Sequence, residues 1–226
     1  RSLTPTLPTG SDIREVWQVF ADKRGATFFA QSQILRFRDG QWQRWDFAGA
    51  RRLPACEIDG VIWFHHGPTG VWSLRGEKPE LEIPSDAVNV GEDVVYLATT
   101  ANRITLVSRR GLFQWHDRQL LPWSPVAMEF VRAHNLTTVC TLPDGRVVIG
   151  TLRGGLGIVS PDGTELERIG RDHGLPNPVV INAVPGRDGR LWCAMPTHVT
   201  VFDLNDDVRL FPLTGVNALT SANDAL

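Results

Sequence analysis

The sequence predicts an all-β fold, a β-propeller built from four-stranded blades. Five segments share an apolar centre beside a polar turn, namely residues 26–30, 61–65, 94–98, 146–150 and 190–194. Their central residues lie 35, 33, 52 and 44 positions apart, about the length of a four-stranded repeat unit. Asp-Gly pairs such as Asp144-Gly145 mark tight turns between the strands. Short strands repeated at this interval are typical of propellers.

The last two units show the strand order most clearly. Residues 179–184 form a predicted inner strand, and 191–194, 199–202 and 209–213 follow as second, third and outer strands. The preceding unit repeats this order at 139–142, 147–149, 156–159 and 165–169. By the same comparison the first inner strand covers residues 13–20, and Tyr96 centres the second strand of the third blade.

We expect residues 1–226 to form one propeller domain or part of one. The blade cores are predicted near 13–47, 50–84, 85–123, 136–169 and 179–213, and residues 216–226 match the start of a further blade. An arc of a larger propeller of the seven-bladed type is the favoured interpretation, and a complete small ring is the alternative.

Neighbouring blades must stack because a four-stranded sheet cannot bury both of its faces alone. The large flat residues Phe28, Trp63, Tyr96 and Trp192 recur at one strand position and are predicted to fill the space between blades. Helix signals are almost absent. Residues 125–133 are compatible with a helix, but a loop or an outer strand explains them equally well.

Composition excludes several classes of function. With 23 basic and 25 acidic residues the formal net charge is −2, which provides no broad electrostatic footprint for nucleic acid or anionic lipid. No apolar run approaches the roughly 20 residues needed to cross a bilayer. We therefore predict no nucleic-acid partner and no membrane contact within this chain. Cys56, Cys140 and Cys193 accompany apolar strand sequence and are interpreted as buried free thiols.

Motifs for catalysis or metal binding are lacking. His65 and His66 are adjacent on a strand, so their side chains point to opposite faces and cannot chelate one metal. Residues 203–207 alternate like a calcium loop, but Val208 and Thr214 stand where that loop needs Gly and Glu. No nucleophile elbow is present. We predict no catalytic residue, no metal and no cofactor, and thus no enzymatic activity in this chain.

Two units resemble a known repeat. Gly174-Leu175-Pro176 followed by residues 188–194, Asp-Gly-Arg-Leu-Trp-Cys-Ala, resembles the repeat of the two-component regulator propeller family. Residues 142–145, 148–151 and 155–156 match the second half of the same pattern. The resemblance implies a periplasmic or extracellular sensor domain. In the parent protein this domain would be tethered to the membrane and joined to a histidine kinase or another signalling output.

This resemblance also implies ligand binding without turnover, with a small polar molecule or a glycan as the ligand. Propellers tend to bind ligands where loops converge over the central channel. Loops between second and third strands are expected to supply His66, Asn102, Arg103, Arg153 and His198. The loop before an inner strand is expected to supply Asn177. Such side chains suit a polar or anionic molecule through charge-assisted hydrogen bonds. Other loop residues with the same expectation are Arg14, Gln33, Arg52, Thr69 and His134.

Two other functions remain open. The strands at 61–64 and 191–193 are similar to those of propeller lyases that cleave streptogramins, which implies a lyase or lactonase acting on a cyclic ester with a divalent metal. His66 and His198 could lie near the channel, but no Glu pairs convincingly with either. A protein-interaction scaffold is the third interpretation, and sideways association through an outer strand would give a homodimer.

Overall fold

A computed structural model describes residues 7–11, 13, 15–88, 94–100, 103–117, 119–186, 189–204 and 208–211. These residues form five sheets of four antiparallel strands, each sheet a meander in sequence order. The predicted fold class, an all-β propeller with five recognisable four-stranded blades, is confirmed. The chain divides into two compact units between the second and third sheets.

The first unit contains two sheets. Its first sheet is formed by β1 (Val16–Asp22), β2 (Gly25–Ala30), β3 (Gln33–Arg38) and β4 (Gln41–Asp46). Its second sheet is formed by β5 (Ala55–Ile58), β6 (Val61–His66), β7 (Gly70–Leu74) and β8 (Glu80–Pro84), followed by the one-turn helix α1 (Ser85–Val88).

The second unit contains three sheets and one longer helix. The third sheet comprises β9 (Val94–Thr100), β10 (Arg103–Ser108), β11 (Gly111–His116) and β12 (Gln119–Pro122). After helix α2 (Pro125–His134) the fourth sheet comprises β13 (Leu136–Thr141), β14 (Val147–Thr151), β15 (Leu156–Val159) and β16 (Leu166–Ile169). The fifth comprises β17 (Asn182–Pro185), β18 (Arg190–Ala194), β19 (Val199–Asp203) and β20 (Val208–Phe211).

The two sheets of the first unit pack through Phe29 and Phe64. Both side chains are fully buried, and their ring centroids lie 5.6 Å apart. Phe28 and Trp63, which are predicted to fill spaces between blades, do not fill this one, because adjacent residues of a strand point to opposite faces of the sheet. Phe28 lies on the other face of its sheet, half-buried beside Trp42 at a centroid distance of 5.8 Å.

In the second unit polar contacts join the inner strands of neighbouring sheets. The Tyr96 hydroxyl of β9 donates a hydrogen bond to the Thr137 carbonyl of β13, so this aromatic residue does bridge two blades as expected. Thr137 Oγ1 in turn donates to the Val180 carbonyl at 2.6 Å, and Thr138 Oγ1 donates to Asn182 Oδ1 of β17 at 2.9 Å. These hydrogen bonds join the inner strands β9, β13 and β17 of the three sheets side by side.

Residues 125–133, for which a helix, a loop and an outer strand were equally compatible with the sequence, belong to helix α2. Ser124 caps it, because its Oγ accepts a hydrogen bond from the Ala127 amide at 3.2 Å, and Pro125 occupies the first turn. Ala127, Phe130 and Val131 follow helical spacing and are buried in the core shared with the third and fourth sheets. The helix has 10 residues, fewer than the dozen or so over which helical spacing of apolar residues becomes clear. Its pattern is therefore weak in the sequence.

The third blade begins one strand later than predicted. The strand at Val94–Thr100 is the first, inner strand of its sheet, so Tyr96 does not centre a second strand. Leu106 of β10, fully buried, occupies the corresponding position. It lies 43 positions after Trp63 and 42 before Val148, so the irregular interval of 52 disappears.

All three cysteines are free thiols. Burial raises the pKa of the Cys56 and Cys140 thiols to about 12, and it raises the pKa of Cys193 well above its ordinary value. The thiols therefore stay protonated at neutral pH. Within the described ranges, no helix combines the length and apolar character needed to cross a membrane.

We predict that replacing Phe29 with Ala destabilises the protein more than replacing its neighbour Phe28. Phe29→Ala should cost about 3–5 kcal/mol because it opens a cavity between two sheets. Phe28→Ala should cost about 1–2 kcal/mol because that side chain is only half-buried. Urea unfolding followed by tryptophan fluorescence measures both losses, and equal losses would contradict the assigned packing.

Candidate functional site

Three predicted site residues lie at one end of the fourth and fifth sheets. This end is formed by the turn 152–155 between β14 and β15, the turn 195–198 between β18 and β19, and the segment 177–181 before β17. The Val180 amide donates to the Thr151 carbonyl at 2.9 Å, and the Gly155 amide donates to the Pro178 carbonyl at 3.0 Å. We call these three segments the turn cluster. Arg153, Asn177 and His198 belong to it.

His198 is the most informative member of the turn cluster. Its side chain is half-buried, and Nδ1 lies 2.9 Å from the Thr197 hydroxyl. Its Nε2 is shielded from solvent, yet it has no hydrogen-bond partner within the described part of the chain. Leaving a buried polar atom unpaired costs about 1–3 kcal/mol, so a partner for this nitrogen is expected, either a water molecule or a ligand.

Asn177 and Arg153 occupy different local environments. Asn177 Oδ1 accepts a hydrogen bond from the Val179 amide at 2.9 Å, which fixes the turn before β17. Arg153 is exposed in the turn 152–155, directly before Gly154. Among the described contacts its guanidinium has no partner, so all five of its N–H donors face solvent or a ligand.

His134 borders the turn cluster from the end of α2. Its ring lies 4.9 Å from that of Phe130, and a Cβ atom built on Gly154 would come within 2.5 Å of His134 Cγ. Only glycine at position 154 therefore lets the Arg153 turn approach this imidazole so closely. The Leu152 amide also donates to the Asn135 carbonyl at 2.9 Å. The loop candidate His134 thus joins the cluster.

The structure does not place Arg103 with these residues. Arg103 opens β10 in the hairpin between the first and second strands of the third sheet, opposite Thr100. Tyr96 near the start of β9 contacts Thr137 near the start of β13, whereas Arg103 follows the end of β9. Arg103 is therefore at the other end of the unit, and its predicted position between second and third strands is wrong. Asn102 lies outside the described residues.

His66 belongs to the first unit and is engaged in an internal network. It is the last residue of β6 and 5% exposed, rather than a residue of the following loop. Its Nε2 lies 3.0 Å from the Ala48 carbonyl, and its Nδ1 lies 2.7 Å from Thr69 Oγ1. Thr69 Oγ1 also accepts a hydrogen bond from Trp72 Nε1 at 2.8 Å. Because a carbonyl can only accept, Nε2 carries the proton and Nδ1 accepts the Thr69 hydroxyl proton. Both ring nitrogens are used inside the protein.

No candidate metal centre emerges from the described residues, since none of them form a group of three or more His, Cys, Asp or Glu side chains placed to hold an ion. Of the residues that alternate like a calcium loop, Asp203 ends β19 and lies 3.9 Å from Arg190 Nε. Asn205 and Asp207 lie outside the described residues.

Three arginines for which the sequence contains no motif line a cavity in the first unit: Arg36, Arg38 and Arg75. Arg36 follows the apolar residue Ile34 by two positions in β3, so both side chains point to the same face of the strand. A charge at a core-facing strand position is the signal that could have identified it, because charged residues are rarely buried without a specific contact.

His65 makes the first unit sensitive to acid. Burial, with a smaller contribution from His66, lowers the pKa of His65 from 6.5 to about 4. Between these values the unfolded chain binds a proton that the folded chain does not, so the free energy of unfolding falls as the pH drops from 6.5 towards 4. At pH 5 the expected loss from this residue is about 2 kcal/mol.

We predict that His65→Gln reduces the loss of stability between pH 7 and pH 5, because glutamine does not titrate. Urea unfolding at the two pH values measures it. His173→Gln is the control, since His173 is an exposed histidine beside Asp172. An unchanged pH dependence in His65→Gln would show that His65 is not the group responsible.

No protein-family model and no curated protein matches the sequence. Solved structures do match its fold. The extracellular domain of a protein assigned as a hybrid two component system, BT3049 from B. thetaiotaomicron, aligns with a TM-score of 0.65 and 16% identity over 91% of this chain and 29% of that one. Virginiamycin B lyase from Staphylococcus aureus aligns with a TM-score of 0.69 and 12% identity over 93% of this chain and 74% of the lyase.

A third match is YCF48 bound to D1 peptide, with a TM-score of 0.63 and 14% identity over 88% of this chain and 67% of that one. Identities this low establish the fold alone. This chain spans less than a third of the BT3049 domain, so it corresponds to a part of that larger structure. The chain has the propeller fold found in extracellular domains of two component system proteins.

Proposed function

We propose that this chain is a ligand-sensing propeller domain of a two-component signalling receptor. It recognises a small polar molecule or a glycan without turnover. The fold shared with the extracellular domains of two component system proteins supports this assignment. The single observation that carries the binding role is the buried, unpartnered Nε2 of His198 within the turn cluster.

The turn cluster favours an anionic or polyhydroxylated ligand. Arg153 offers a planar set of N–H donors for a carboxylate, and Asn177 contributes an amide. The His198 Nε2 can donate to or accept from a hydroxyl, depending on its tautomer. A sugar acid presents a carboxylate and hydroxyls together, and it matches this combination of groups.

The cellular setting follows from the same proposal. The domain is periplasmic or extracellular, and the parent protein tethers it to the membrane and connects it to a kinase or another output. The match covers 29% of the BT3049 domain, which supports the proposal that this chain is part of a larger sensor region. We also predict that two copies of the domain pair sideways through an outer strand.

A lyase or lactonase is the second candidate, because virginiamycin B lyase and streptogramin B lyase share the fold. In this alternative His198 would act near a divalent metal on a cyclic ester. Incubation with cyclic depsipeptides and Mg²⁺ separates the candidates, since a lyase forms a linear product and a sensor does not.

We predict that Arg153→Ala and His198→Ala each weaken binding of acidic oligosaccharides by about tenfold, because each removes a charge-assisted or buried hydrogen bond. Isothermal titration calorimetry with uronic-acid oligosaccharides measures the affinities. Arg103→Ala is the matched control, since that arginine is also a strand-end residue but lies at the other end of the unit. Equal losses in all three variants, or no binding by the unsubstituted chain, would contradict the assignment.

A further inference from the structure

A cavity of about 80 Å³ lies within the first unit, between its two sheets. Three arginines line it: Arg36 and Arg38 of β3, and Arg75, which follows β7 directly. Asp22 and Glu57 also line it. The cavity therefore contains more positive than negative side chains in a chain whose net charge is −2.

Arg36 is the buried member of this set. Arg36 is 4% exposed, and burial lowers the pKa of its guanidinium. Its Nη1 donates to the Gly76 carbonyl at 2.8 Å, its Nε donates to Thr27 Oγ1 at 3.3 Å, and its Cζ lies 5.5 Å from the centre of the Trp45 ring. Both acceptors are neutral. An arginine keeps its charge even in such surroundings, so the positive charge remains between the sheets.

The two arginines at the rim have carboxylate partners of their own. Arg38 Nη2 lies 2.5 Å from Asp22 Oδ2, and Arg75 Nε lies 3.2 Å from Glu82 Oε1. Arg36 forms no ion pair in the described part of the chain. Glu77, the carboxylate with the largest electrostatic effect on Arg36, accepts a hydrogen bond from Gln43 Nε2 at 2.8 Å. The buried guanidinium therefore has the least compensated charge.

Burying a charge without a counter-charge is costly, and the cost is normally offset by a partner. A guanidinium has five N–H donors, and two of those of Arg36 are used by Thr27 and Gly76. The donors that remain belong to a side chain that lines the cavity. An anion placed there would receive hydrogen bonds from Arg36 and electrostatic support from Arg38 and Arg75.

We propose that this cavity binds one small oxyanion group: a sulfate, a phosphate or a carboxylate. Arg36 is its direct ligand, and Arg38 and Arg75 are supporting charges at the rim. A cavity of about 80 Å³ has room for one such group. The group is either a free anion or the acidic substituent of a larger molecule. This site lies in the first unit and does not depend on the ligand proposed for the turn cluster.

Calorimetric titration of the whole chain with sodium sulfate, sodium phosphate and glucuronate, in dilute chloride buffer, tests the proposal. We expect one sulfate or one phosphate per chain, and mutual competition between the anions that bind this cavity. Arg36→Met should weaken the affinity by about tenfold or more, because it removes charge-assisted hydrogen bonds but keeps much of the side-chain volume. Arg38→Gln and Arg75→Gln should each weaken it by a smaller factor, through lost charge.

Arg24→Gln is the matched control, since Arg24 lies in the turn between β1 and β2 of the same sheet and pairs with Asp39 at an exposed position outside the cavity. It should bind sulfate and phosphate like the unsubstituted chain, and so should Arg153→Ala of the turn cluster. Failure of glucuronate to displace bound sulfate would identify a free anion as the ligand. Competition by glucuronate would identify an acidic substituent.

Far-UV circular dichroism establishes whether Arg36→Met is folded. If it is folded and binds as well as Arg24→Gln, the proposal is overturned, and Arg36 serves only to join β3 to the Gly76 carbonyl. If it does not fold, the rim variants decide the question: unchanged affinity in both Arg38→Gln and Arg75→Gln overturns the proposal. Absence of saturable binding by the unsubstituted chain also overturns it.

Discussion

Packing between the faces of neighbouring sheets is the interaction on which the structure of each unit depends. A four-stranded sheet has two faces, and neither can be left in water when both carry large apolar side chains. In the first unit Phe29 and Phe64 meet across the gap and bring Phe47 and Trp72 into one cluster. In the second unit Val148, Leu191 and Cys193 belong to a continuous core that spans the fourth and fifth sheets. Each strand contributes alternate residues to these interfaces, which is why a displacement of one position changes which aromatic residue is buried.

The same packing also controls the chemistry of the polar groups between and beside the sheets. His65 and His66 are both buried at the end of β6, yet they have different environments because their side chains point to opposite faces. Burial lowers the pKa of His65, whereas the hydrogen bonds of His66 to Ala48 and Thr69 satisfy both of its nitrogens. Arg36 shows a third outcome, a charge held between sheets by neutral acceptors and the Trp45 ring. At these three positions the packed strands hold a polar side chain in a fixed place, as a functional group requires.

The turn cluster and the arginine cavity belong to different units and differ in construction. Backbone hydrogen bonds such as that from Gly155 to Pro178 join the segments of the turn cluster, so its side chains project from loops held by rigid strands. The cavity is formed by strand residues, and its walls are part of the core packing. Loop residues can change with little cost to the fold, whereas Arg36 contributes to stability as well as to any binding. The variants that remove the two sets of groups should therefore have different effects on stability.

The sequence by itself determined the fold class, the number of recognisable blades and the order of strands within the last two, because alternation of apolar residues and Asp-Gly turns are local properties of the chain. It also indicated the turns that carry Arg153 and His198. The tertiary structure alone decided that Phe29 rather than Phe28 fills the space between the first two sheets, that residues 125–134 form a helix, and that Arg103 lies away from Arg153. These outcomes depend on which face of a strand meets a neighbour and on which strand is innermost. Alternation along the chain specifies two faces but not which neighbour each face meets, since that choice is made only when the sheets pack together.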